Sequence, residues 1–166
     1  MKKTLLLYAL ILAFALLTSC ATDRTNNPTE STDDVTSKPL NLGEIYDAIA
    51  ENTDMQLLNK YSAEDIKSTL GIAPEDYTQI VAAISDNDWF PDFLFMCVPS
   101  SKESADKIIK KLENAKNYKE NSWRDYVPEQ YVFVERSAIV SESGVIYYVI
   151  SSADESVAEV IKSHLK

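Results

Sequence analysis

The chain has 166 residues, with 16 Lys+Arg against 26 Asp+Glu, a net charge of −10 and 45% hydrophobic residues, enough apolar material for one domain with its own core. Its three glycines, Gly43, Gly71 and Gly144, stand too far apart for any G-x-G-x-x-G or G-x-x-x-x-G-K-[ST] phosphate loop. The single histidine, His164, excludes H-E-x-x-H and two-His zinc fingers, and an acidic balance without a basic run opposes binding to nucleic acid. No metal or cofactor is expected from the sequence.

Lys2 and Lys3 precede an apolar run from Leu5 to Leu17, the charged and hydrophobic regions of an export signal, too short to span a bilayer comfortably. The run closes with Leu17-Thr18-Ser19-Cys20, which resembles the lipobox of bacterial lipoproteins. That resemblance implies cleavage after residues 1–19 and a diacylglycerol thioether on Cys20, so that the partner of the N-terminus is a membrane. Two acyl chains hold a protein stably at a bilayer where one does not. The expected location is the extracytoplasmic face of the cell membrane. Residues 20–40 are the lipidated cysteine and a linker of Thr, Ser, Asn, Asp and Pro that cannot bury enough surface to order itself. Such a tether has a root-mean-square span of about 25 Å. Alkylation of Cys20 leaves Cys97 without an intramolecular partner, and its run Phe93-Leu94-Phe95-Met96-Cys97-Val98 marks it as a small buried hydrophobe.

Residues 41–166 read as a single α+β domain. Leu42, Ile45, Ile49 and Ala50 share one helical face. A second helix starts at Ser62, with Asp65 at the third helical position, and ends at Leu70 before Gly71. Residues 78–84 and 92–98 form a hairpin around Ser85-Asp86-Asn87-Asp88. The acids Asp86, Asp88 and Asp92 fail as an EF-hand, because the sixth position of such a loop would be Pro91. Ser100 and Glu103 have capping-box spacing before the stripe Ala105, Ile108, Ile109, Leu112, Ala115, and the helix should run to about Trp123. Pro128 suits the first turn of a short helix through Arg136, although Tyr131 to Val134 favour a strand. A second hairpin turns at Glu142-Ser143-Gly144. The last helix begins with Ser152 and Glu155 and carries Val157, Val160, Ile161 and Leu165.

Val98, Ser100, Glu103, Ile108 and Ile109 recur 52 residues later as Ile150, Ser152, Glu155, Val160 and Ile161. The expected architecture is a four-stranded antiparallel sheet built from two hairpin-helix (ββα) repeats, with both long helices on one face and an N-terminal helical segment as lid on the other.

The run Trp123-Arg124-Asp125-Tyr126-Val127-Pro128-Glu129-Gln130-Tyr131, followed by the Gly144 hairpin and Val149-Ile150-Ser151, resembles an uncharacterised domain-of-unknown-function family of short lipoproteins from Clostridia-type Firmicutes. The resemblance implies an exported lipoprotein in a Gram-positive cell envelope and carries no catalytic residue. Trp123 and Tyr126 at the end of a long helix, before Pro128, read as a packed corner. The alternative is a stacking platform for sugar or peptide that includes Tyr131 and Tyr118. Trp89 and Phe90 at the first hairpin tip are a further candidate contact for a ligand or partner. The expected function is an interaction or accessory module without catalysis. Carbohydrate or small-ligand binding by the aromatic cluster, and a carboxylate-dependent cell-wall hydrolase, are the alternatives.

Overall fold

The computed structural model describes residues 39–55 and 58–166. The export signal, Cys20 and the linker up to residue 38 lie outside them. Helix α1, Leu42–Asn52, starts where the Asn41 side chain accepts from the backbone N–H groups of Gly43 (2.9 Å) and Glu44 (3.4 Å). The Gln79 amide grips the chain at this entry: it donates to the Leu40 carbonyl (2.9 Å) and accepts from the Leu42 N–H (3.0 Å). Leu42, Ile45 and Ile49 are buried and Ala50, expected beside them, is exposed. Each such aliphatic side chain, fully buried, stabilises the fold by about 1.5–3 kcal/mol.

After the short strand β1, Leu58–Lys60, the capping box forms as expected, with the Ser62 side chain on the Asp65 N–H and the Asp65 carboxylate on the Ser62 N–H (2.9 Å). That hydrogen bonding holds the Asp65 carboxyl below the usual range. The helix it starts, α2 (Ala63–Asp65), widens into a π turn over Ile66–Leu70 and stops at Gly71, whose φ of +68° is the left-handed value that glycine adopts without strain. A 3-10 turn, Pro74–Asp76, leads into β2, Tyr77–Ser85, and β3, Phe93–Pro99. Helix α3 covers Lys102–Tyr126, three residues beyond Trp123, and α4 covers Pro128–Arg136. Here Pro128 and the packing of Val134 prevail over the strand propensity of the Tyr131 to Val134 run. Strands β4, Ile139–Glu142, and β5, Val145–Ile150, join through Ser143 and Gly144, both at positive φ as a type I′ turn requires. Helix α5, Asp154–His164, completes the domain.

All strand pairs are antiparallel, in the order β1-β2-β3-β5-β4. The sheet therefore has five strands, not four. The addition, β1, is an edge strand of three residues carrying Asn59 and Lys60, too short to show a period and polar enough to discourage further pairing.

The two halves are also not structural repeats. Phe93 pairs with Ile150 and Leu94 with Val149, so odd positions of β3 share a face with even positions of β5. An even offset of 52 residues consequently carries each position to the opposite face. Phe93, Phe95 and Cys97 join Ile146, Tyr148 and Ile150 under α2, α3 and α4. Leu94 and Met96 join Val145, Tyr147 and Val149 under α1 and α5. The long helices thus sit on opposite faces rather than one, giving three layers. Of the N-terminal helices only α1 serves as lid, and it shares that face with α5, while Ile66 and Leu70 of the second pack on the α3 side.

The capping boxes expected at α3 and α5 do not form: the cap of α3 moves by one residue, and α5 has no side-chain cap. Ser100 is occupied with the Glu75 carbonyl (2.8 Å), so Ser101 caps α3 by accepting from the Ser104 N–H (3.1 Å). At α5 the Ser152–Glu155 box does not form; Ser151 accepts from the Ala153 N–H (3.2 Å) and donates to the Asp92 carboxylate (2.7 Å). Arg136 straps α4 to α5 through the Asp154 carboxylate and the Ser151 carbonyl (3.2 Å).

Candidate functional site

The apolar stripe of α3 runs from buried Ile108 and Leu112 to half-buried Ala115 at intervals of four and three, and continues on the same face to Lys119 and Ser122. Where the stripe turns polar, α3 no longer closes against the sheet. A cleft of about 610 Å³ opens there, within the size range of small-molecule sites. Its floor is Ile84, Phe93 and Tyr148 from the sheet. One wall is Tyr61 with the end of the π turn, Ser68 to Gly71, and the other is α3 from Lys111 to Trp123.

The floor is rigid. Phe93 and Tyr148 meet edge to face with centroids 5.8 Å apart, and the Tyr148 hydroxyl is hydrogen-bonded with Ser137 (3.2 Å). Burial pushes the Tyr148 phenol up to about 12, so it stays protonated. The same holds for Cys97 beneath this face, whose thiol burial and Asp76 push up to about 12, away from any nucleophilic state.

The Lys119 ammonium lies 5.6 Å from the Phe93 ring centroid. Burial holds its pKa below the ordinary lysine range, and the Asp92 carboxylate offsets this only in part. Asp92 is itself buried, which raises its carboxyl despite the Ser151 hydrogen bond. Asp86 and Asp88 are exposed, and among the described residues no three His, Cys, Asp or Glu side chains cluster as metal ligands.

The sequence-predicted contact residues divide among three places. Trp123 is half-buried and lines the cleft. Tyr126 is not packed into a corner: it is 63% exposed, meets Trp123 edge to face at 6.2 Å, and stacks on Trp89, itself 64% exposed, at 6.1 Å. Trp123, Tyr126 and Trp89 thus form an aromatic ledge leading out of the cleft. Tyr131 is half-buried beneath the Arg124 guanidinium, which also donates to its hydroxyl (3.3 Å), and is no part of the cleft. Phe90 is half-buried in the β2–β3 loop, also away from the cleft. Cys20 falls outside the described residues.

Composition and motif reading passed over Lys119, Asn114 and Ser122, all of which line the cleft. The available signal was Lys119, a charged residue in the register of a core stripe. Gly71, expected only to end a helix, also forms part of the rim. A Cβ there would come within 3.1 Å of the Lys111 Nζ, so the bare glycine leaves room for that side chain.

Fold and cleft together define a three-layer α+β domain with a concave, aromatic-walled pocket and no carboxylate among the pocket's lining residues. Residues 51–151 match the family described as Domain of unknown function (DUF4358), and the chain belongs to that family. No curated protein and no solved structure matches the chain.

Proposed function

We propose that this chain is a lipid-anchored binding protein of the extracytoplasmic membrane face, a short lipoprotein of the kind found in Clostridia-type Gram-positive cells, and that it binds a small ligand in the α2–α3 cleft. The observation that supports binding most is the cleft itself: a concave site with Tyr61, Phe93, Tyr118 and Trp123 around it and amide, hydroxyl and ammonium groups converging from α3. The anchor rests on the Leu17 to Cys20 box and the apolar run before it. Among the described residues no helix is long and apolar enough to cross a membrane. Binding is preferred to wall hydrolysis because that chemistry needs two carboxylates facing each other, and the cleft is lined by none.

Mass spectrometry of the membrane fraction tests the anchor: the mature N-terminus should be Cys20 bearing diacylglycerol, and an unmodified Cys20 there refutes it. For the cleft, the full chain in detergent is screened by thermal shift against small sugars and ring acids, beside an Ala115→Trp variant whose side chain fills the site. Stabilisation of the wild type alone is expected. Equal stabilisation of the filled variant, with its fold intact by circular dichroism, would place binding elsewhere and sink the proposal.

A further inference from the structure

Charge around the cleft runs against the character of the chain. Acids outnumber bases 26 to 16, yet the cleft is lined by two lysines, Lys111 and Lys119, and by no Asp or Glu. Lys60, Lys102, Lys107, Lys116 and Arg136 each have an acidic side chain within 4.0 Å. Among the described residues neither cleft lysine has such a partner. Lys111 lies across the end of the π turn, where backbone carbonyls carry partial negative charge and favour a cation. Lys119 has no such reason to be there. It is half-buried over the ring of Phe93 in the sheet, and the acid acting on it, Asp92, is already engaged with Ser151. An ammonium drawn out of water without a partner is costly, and an arriving anion would remove that cost.

Lys119 and Trp123 are four apart on α3, which sets their Cβ atoms about 5–6 Å from each other on one face. That separation suits a carboxylate attached directly to a ring, the carboxylate on the ammonium and the ring against the indole. Asn114 and Ser122 add amide and hydroxyl groups within the same cleft. A phosphate is less well served. The helix end facing the cleft is a C-terminus, which presents carbonyl oxygens rather than the N–H groups that cradle phosphates. Building on the reading of this cleft as the binding site, we infer that its ligand is a small ring compound bearing a carboxylate, held by Lys119 with its ring on Trp123, and drawn in by Lys111 at the rim.

Titration calorimetry on the full chain in detergent tests this with matched pairs: methyl glucuronoside against methyl glucoside, benzoate against benzyl alcohol, and inorganic phosphate alone. At least one acid should bind tenfold or more tightly than its neutral partner, and the pair that does so identifies the ring as sugar or arene. Lys119→Met should reduce that preference below twofold, while Lys119→Arg preserves it. Neutral and acidic members binding alike, phosphate binding more tightly than either acid, or a preference that survives Lys119→Met in a variant of unchanged circular dichroism would each overturn the inference while the cleft remains a binding site. If no member of either pair binds, the inference and the cleft reading fall together.

Discussion

The two faces of the sheet are built from alternate residues of the same strands, yet they are finished differently. Under α1 and α5 the contacts of Leu94, Met96, Val145 and Val149 with Ile45, Ile49, Val157 and Ile161 are aliphatic and closed. Under α3 an equally apolar start at Ile108 and Leu112 gives way, two turns on, to Lys119 and Ser122 and an open cleft. One strand pair thus supplies both a closed seam that stabilises and a cavity wall that can bind, because period-two alternation lets each face be composed independently.

Matched truncations break this comparison most directly. Leu94→Ala should cost about 3 kcal/mol, because its neighbours cannot collapse into the vacancy, whereas Leu70→Ala at the cleft rim should cost about 2 kcal/mol, its vacancy opening to water. Urea unfolding measures both, and equal losses would mean that the cleft face is as tightly closed as the other. Gly71→Ala should cost about 1.5 kcal/mol through its left-handed backbone, with some displacement of Lys111. The corresponding substitution at Gly43, whose φ is not positive, is the control.

Lys119→Met should stabilise the domain by about 1 kcal/mol at neutral pH, as substitutions that relieve a functional strain commonly do. Its pH signature is sharper. The folded pKa of Lys119 lies below 10.5, so between the two values the unfolded chain holds the extra proton and the wild type gains stability as pH rises. Melting curves of Lys119→Met should lack that alkaline gain; an identical gain in the variant would assign it to another group. The smallest effect is expected at Asp92. Its folded pKa lies above 3.8, so the wild type should lose stability as pH rises from 3.8 through the folded value. Asp92→Asn retains an acceptor for Ser151 and should flatten that acid limb; an unchanged limb would show that Asp92 does not cause it.

Much of the fold was legible because its signals are local. The Ser62–Asp65 box, the Gly71 stop, the Ser143-Gly144 turn and the apolar stripes of α3 and α5 each act within a few residues. What escaped depends on pairing between distant segments. Whether α5 covers the same face as α3 is decided by the register of β3 on β5, and a one-residue difference in that register reverses the answer. Strand β1 exists because β2 offers an edge to Leu58–Lys60, not because of any pattern in those residues. The cap of α3 moved for a similar reason: Ser100 is claimed by Glu75, 25 residues away. At the site, Trp123, Tyr126 and Trp89 stood out by composition. Lys119 did not, since a lysine on a long helix is ordinarily solvated and only the sheet beneath makes it unusual.

The Gln79 grip on Leu40 and Leu42 has a mechanical side. Tension applied to the chain ahead of Pro39 meets these two side-chain hydrogen bonds, which end on Gln79 of β2, before it meets α1, itself held by Leu42, Ile45 and Ile49. The junction behaves as a shared coupling, in which a polar latch on the sheet and the apolar seat of α1 divide a pull at the entry point so that neither carries it alone.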